Sequence, residues 1–147
     1  MIYTKLTRKA MEIACKAHHK QKDKGGFPYI NHPFHIAEQM QDEITTCVAL
    51  LHDVIEDSNI TLSALSKDFP PEVINAVEVL THNERDLYSE YIKKVKTNEI
   101  ARIVKLADLE HNLDQSRCLD YSLNSELMEK YLMAYTVLKS PSQERNV

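Results

Sequence analysis

An all-α fold in a single domain follows from three features of the sequence. Only two glycines occur in 147 residues, and they are adjacent, Gly25 and Gly26, in the polar stretch QKDKGGFPYIN, which marks one real loop. Apolar residues recur at helical spacing through most of the remaining chain. No stretch alternates apolar and polar long enough for a strand, and no internal repeat or linker interrupts the pattern.

The elements follow in order. Residues 5–19 keep a helical period on Leu6, Ala10, Ile13, Ala14 and Ala17, and residues 33–41 do so on Phe34, Ala37 and Met40. Pro33 suits the first helical position, which leaves His32 as the cap. Residues 44–57 read as one amphipathic helix on Ile44, Val48, Leu51 and Ile55. A short helix covers 61–67, and Pro70-Pro71 punctuates before another at 72–80. Two more are expected at 87–96 and 98–113, the latter on Ile100, Ile103, Val104 and Ala107, and a last one at 125–139. The domain is assigned to residues 1–140, with the remainder of PSQERNV a disordered tail over 141–147.

Composition narrows the function. The chain is long enough to bury a core without disulfides or a structural metal, so a metal found here is expected to be functional. A net charge of -4 gives no general electrostatic reason to expect nucleic-acid binding. Cys15, Cys47 and Cys118 are odd in number and form no CxxC pair, which suits reduced thiols packed as small core residues in a cytoplasm. The start, MIYTKLTRKA, lacks an apolar signal region, and no uncharged stretch, residues 44–52 included, is long enough for a membrane span. A soluble cytoplasmic protein with no membrane partner is expected.

The stretch ALLHDVIED (49–57) places His52, Asp53, Glu56 and Asp57 among good core residues. At about 100° per residue these four share the face opposite the apolar stripe. That arrangement is either a solvated acidic face or a binding site. His32 after the loop, and Asp108 with Asn112 one helical turn apart in KLADLEHN (105–112), supply further candidates. Two imidazoles and two carboxylates from three helices would form a mixed nitrogen and oxygen site for manganese, iron or zinc. Spacing alone leaves their convergence open. The other histidines read as weaker candidates: His111 as a hydrogen-bonded core imidazole, His18 and His19 as helix-end cations, His35 as a neighbour of His32, and His82 as solvated. Tyr121, Tyr131 and Tyr135 read as packing residues, one of which could line a pocket, and Met128 to Met133 as core.

Taken in order, AHHKQ (17–21), PYINHP (28–33), ALLHDVIED (49–57), the Thr61, Leu65 and Phe69 spacing, and KLADLEHN (105–112) resemble the HD-domain metal-dependent phosphohydrolases. Within them the similarity is to the hydrolase domain of Rel/SpoT proteins and their small stand-alone homologues. The resemblance implies a single all-α HD-domain bundle and a divalent metal, most often manganese, held by His32, His52, Asp53 and Asp108. It implies that Glu56 and Asp57 act on the metal's water and the scissile phosphate, and that Asn112 lies beside a nucleotide. The activity implied is removal of the 3′ pyrophosphate from ppGpp or pppGpp. Alternatives are hydrolysis of another phosphorylated nucleotide, or a catalytically weak nucleotide-binding regulatory module.

Two positions depart from the family pattern. Asp23 stands where an Arg stacks on the base, with Lys24 beside it as the cation expected nearest the substrate. Leu109 stands where a second Arg is usual. Asp23, Lys24 and Asn112 are therefore the expected substrate-facing residues.

Overall fold

A computed structural model describes residues 1–114, 116 and 124–141. Its elements are α1 (Lys5–Ala17), α2 (Asn31–Glu38), α3 (Glu43–Leu51), α4 (Val54–Asp57), α5 (Leu62–Ser66), α6 (Pro71–Leu80), α7 (Tyr88–Thr97), α8 (Glu99–Leu113) and α9 (Ser125–Lys139). The all-α expectation holds among the described residues. The chain's one β feature there is an isolated bridge between Lys22 and Pro28 that closes the predicted loop. Gly26 turns that loop at φ 85°, a left-handed angle that favours glycine. The tail over 142–147, Cys118 and Tyr121 lie outside the described residues.

The architecture is organised around α3. Asp42 caps it, accepting from the Thr45 backbone N–H at 2.7 Å, and from Thr45 through Leu51 every residue is buried. Helices α1, α2, α6 and α8 all pack against it. The expected amphipathic helix over 44–57 is thus corrected in two ways. Helix α3 is covered on all sides instead of along one stripe, and the helix breaks at His52–Asp53. The His52 ring donates to the Ala49 carbonyl at 2.6 Å, capturing an acceptor that a continuing helix would give to the next turn's amide. Asp53 then sits at φ -107°, ψ 1°, and the short α4 starts anew.

Other boundaries shift for local reasons. Helix α2 starts at Asn31, so His32 is in its first turn instead of at its cap, and Pro33 is accommodated where helical amides need no intrahelical partner. Helix α1 stops at Ala17 with His18 as its C-cap. Helices α7, α8 and α9 pack together on the far side of α8. There Ala134 and Leu138 are the buried residues of α9, while Leu132 and Met133 are exposed, so the core contribution expected over Met128 to Met133 falls one turn later. Cys47 is in the core as expected, whereas Cys15 is exposed. No helix among the described residues is long and apolar enough to cross a membrane.

Because Leu50 is fully buried at the centre of the bundle and Leu132 is 49% exposed, their truncations should separate sharply. Leu50→Ala is expected to lower unfolding free energy by about 3 kcal/mol and Leu132→Ala by less than about 1 kcal/mol. Urea unfolding of both variants checks this.

Candidate metal centre

Three segments bring four side chains to one place. His32 comes from the first turn of α2, His52 and Asp53 from the break between α3 and α4, and Asp108 from the middle of α8. The ligand atoms of His32, His52 and Asp53 lie within 4.8 Å of one another. Asp108 Oδ1 stands 2.8 Å from His32 Nε2 and 3.7 Å from His52 Nε2, and His52 Nε2 is 3.0 Å from Asp53 Oδ2. His32, His52 and Asp108 are buried.

Each donor is held by a further partner. With its Nδ1–H given to the Ala49 carbonyl, His52 presents Nε2 to the cluster, and that buried atom has no well-directed hydrogen-bond partner. His32 Nδ1 meets His111 Nδ1 at 2.7 Å, and the His111 ring stacks between His32 at 4.9 Å and His35 at 4.0 Å. His111 therefore orients a cluster imidazole rather than serving only the core. Asp53 accepts a hydrogen bond from the Tyr29 hydroxyl. Asp108 receives the Lys105 ammonium on Oδ2 at 2.8 Å and the Asn112 amide on Oδ1 at 3.1 Å.

The electrostatics describe a cation site. Burial pushes the His52 imidazole down, but the Asp53 and Asp108 carboxylates more than reverse this and hold it well above its ordinary value. Burial would likewise raise Asp53, yet the charge of the His52 imidazole 3.0 Å away keeps it at about 2. Burial would raise Asp108 too, but Lys105 and the imidazoles hold it well below the carboxylate range. The protein thus keeps a proton on His52 to balance two carboxylates, which is the place a metal cation takes. An orphaned imidazole nitrogen, a second imidazole and two carboxylates fit a divalent metal.

The cluster opens into a cavity of about 210 Å³ lined by Tyr29, Glu56, Tyr88, Tyr91, Lys105, Asn112, Lys130 and Tyr131 among others. Glu56 is at its wall, with Oε1 accepting from the His82 backbone N–H. His82 is consequently half-buried instead of solvated, its ring 4.7 Å from Tyr91. Asp57 lines a neighbouring cavity with Gln21. It accepts from Gln21 Nε2 at 3.1 Å, and Gln21 Oε1 is 2.8 Å from His18 Nδ1. His18 is therefore a buried anchor for this chain of contacts and not an exposed helix-end cation.

Of the expected substrate-facing residues, Asn112 reaches the metal cavity, and Lys24 and Asp23 do not line it. Asp23 Oδ1 accepts from the Gly25 and Phe27 backbone N–H groups at 2.9 and 3.0 Å, which staples the loop. Leu109 is fully buried in the core. Of Tyr131 and Tyr135, the two described members of the tyrosine set read from the sequence, Tyr131 lines the cavity. Lys105, Tyr29, Tyr88 and Lys130 went unread in the sequence. Lys105 had a signal, since it lies three residues before Asp108 on one helix; the others depend on which helices meet.

A helical bundle with two imidazoles and two carboxylates gathered from three segments defines a class, the all-α domains built around a divalent-metal centre. Within that class the sequence pattern described as "HD domain" matches residues 10–117, and the chain belongs to this family. A probable GTP pyrophosphokinase of Mycobacterium leprae is 37% identical over 128 residues, covering 78% of this chain and 16% of that protein. The chain thus spans about a sixth of the length of that relative. The human guanosine-3′,5′-bis(diphosphate) 3′-pyrophosphohydrolase MESH1 is 34% identical over 137 residues, covering 83% of this chain and 76% of that protein. The solved structure of a metazoan ortholog of SpoT shares the fold, with a TM-score of 0.75 at 23% identity, covering 94% of this chain and 85% of that one.

The centre should bind one divalent metal per chain. After reconstitution with manganese and gel filtration, elemental analysis should find close to one equivalent in the wild type and only traces in His52→Ala and Asp53→Ala.

Chelator-treated protein should also show the His52 proton in its stability. The folded value lies above the unfolded one, so its contribution is complete below about pH 6.5 and lost as pH rises through the folded value. Thermal melts of the chelated protein should show that loss, and His52→Gln should remove this part of the slope.

Proposed function

We propose that the chain is a metal-dependent phosphohydrolase that removes the 3′ pyrophosphate from ppGpp or pppGpp, using His32, His52, Asp53 and Asp108 to hold manganese. The observation that carries this reading is the convergence of those four donors at one cavity whose wall includes Glu56. The human relative's name, and its match over most of both chains, support the substrate class. The free thiols Cys15 and Cys47 accord with a reducing cytoplasm.

When bound, the cation supplies charge neutralisation for phosphate oxygens and acidifies water. The protein's own groups do the rest. Glu56 keeps one carboxylate oxygen on the His82 amide and has the other to accept a proton from the attacking water. The desolvation Glu56 suffers raises its pKa above the usual value, which strengthens it as a base. Water adds to the 3′ phosphorus, the bond from phosphorus to the ribose 3′ oxygen breaks, and pyrophosphate is released. The ribose oxygen leaves as a hydroxyl after taking up a proton. Asp57, steadied by Gln21, lines the neighbouring cavity and is assigned as the second acid. Lys105 does not reach for substrate on its own account; it holds Asp108 ionised.

A second reading, hydrolysis of another phosphorylated nucleotide at the same centre, is favoured by the use of Asp23 to staple its loop. A carboxylate occupied this way leaves no guanidinium there to stack on guanine. A screen of manganese-loaded protein against ppGpp, pppGpp, NADPH and common nucleotides, reading phosphate and pyrophosphate separately, decides between the two. Pyrophosphate released from ppGpp as the fastest reaction supports the first reading; a faster release from another nucleotide replaces it with the second.

Glu56→Gln is expected to keep the metal and lose about 10²-fold or more in kcat, the effect of removing a positioned proton acceptor. Metal analysis alongside kinetics checks it: loss of metal together with activity would make Glu56 a support of the metal site instead.

A further inference from the structure

Outside the metal donors, His18, Gln21 and Asp57 form a chain of side-chain contacts. Gln21 Nε2 donates to Asp57 Oδ2 at 3.1 Å, and Gln21 Oε1 meets His18 Nδ1 at 2.8 Å. The direction of the chain is forced. An ionised Asp57 only accepts, so the amide turns its NH₂ to the carboxylate and its carbonyl to the imidazole. His18 Nδ1 therefore carries the proton of the ring. The opposite nitrogen, Nε2, is left buried with no hydrogen-bond partner, in a side chain that has no exposed surface.

A buried ring nitrogen without a partner lowers stability, and an apolar side chain in this place would avoid that loss. What the imidazole supplies is a donor that fixes one amide in one orientation. The backbone serves the same end. The Gln21 N–H bonds the His18 carbonyl at 3.1 Å and the Gln21 carbonyl accepts from the Tyr29 N–H at 2.8 Å, so the residue is pinned on both sides. The Asp57 N–H in turn bonds the Asp53 carbonyl at 3.0 Å, which ties its backbone to that of a metal donor. A carboxylate otherwise turns freely about its last bond; here Oδ2 is held and Oδ1 is uncommitted, in a side chain 28% exposed.

We infer that His18 and Gln21 are positioning residues for Asp57, holding its Oδ2 so that Oδ1 is the oxygen presented to the reacting phosphate. This rests on the phosphohydrolase reading and deepens it: two residues at the end of α1 enter the chemistry without touching substrate. Misplacing a reacting group by about 1 Å costs on the order of 10²-fold in rate, so a fixed carboxylate is worth a buried imidazole.

The test is steady-state kinetics of manganese-loaded protein on ppGpp, or on the fastest nucleotide of the screen, with metal content and melting temperature measured for every variant. Gln21→Met keeps the length and removes the amide, and Gln21→Glu keeps the shape but exchanges the donor for an acceptor. Each should lower kcat about tenfold, with KM within about twofold and metal content unchanged. His18→Phe keeps a ring beside Tyr29, whose centroid is 4.9 Å away, and should show a smaller loss of the same kind. On an Asp57→Ala background, Gln21→Met should cost less than about twofold more, because a residue that acts only through Asp57 has nothing left to act on.

A loss of about tenfold on both backgrounds overturns the inference. So does wild-type kcat in both Gln21 variants, or a rise in KM with kcat kept, the sign of a direct substrate contact. A readout independent of turnover is the side-chain amide NMR signal of Gln21 in chelator-treated protein. It should be shifted and protected from exchange in the wild type, and free in His18→Phe and Asp57→Ala; a free signal in the wild type overturns the chain itself. Protein that turns over no nucleotide in the screen removes the phosphohydrolase reading, and the catalytic role of the chain with it, whatever the amide signal shows.

Discussion

A carboxylate buried at the centre of a helical bundle, Asp108, sets the terms for everything around it. An unpaired charge there would be strongly destabilising, and the protein answers with partners from its own helix and from others. Lys105 neutralises one oxygen from one turn back, Asn112 donates to the other from one turn ahead, and His32 reaches the same oxygen from α2. That arrangement needs α2 and α8 to pack against the helix that ends in His52, which they do. The polar centre and the apolar core are therefore one construction: α3 buries Thr45 through Leu51, so that His52 at its C-cap is delivered to the carboxylate.

The helices were readable because apolar spacing at a period near 3.6 survives whichever neighbour covers it. Helix α9 is expected and found over 125–139, and α8 and α6 fall within one residue of expectation. The failures occur where tertiary contacts decide. Spacing made residues 44–57 one amphipathic helix, but α3 is enclosed on every side and the His52 ring ends it by taking the Ala49 carbonyl. No local pattern announces that bond. His32 was placed as a cap because Pro33 is frequent at the first helical position, yet the preceding turn at Pro28 and Tyr29 already starts the helix.

At the site, order along the chain carried more than spacing did. His32, His52, Asp53 and Asp108 are separated by up to 76 residues, and only the chained motifs connect them before a structure is seen. The supporting groups behaved differently. His111 reads as a core residue by its place on the helix, and only the position of α2 turns it into the partner of His32. Gln21 sits in the AHHKQ motif without a stated purpose until α4 places Asp57 beside it. Such contacts between elements are what a periodicity argument lacks.

The loop and α8 show how one chain can keep the His and Asp cluster while its surroundings depart from the family pattern. Asp23 replaces an arginine of the family pattern, and its carboxylate closes the turn through two backbone amides. A loop ordered in this way gains rigidity and carries a carboxylate where the family pattern has a cation. Leu109, at the second missing arginine, is wholly within the core, so that position offers the ligand nothing. The remaining uncommitted positive charge of the cavity lies instead on α9, where Lys130 covers Tyr88. The lysines that line this cavity are therefore Lys105 on α8 and Lys130 on α9, and neither comes from the loop.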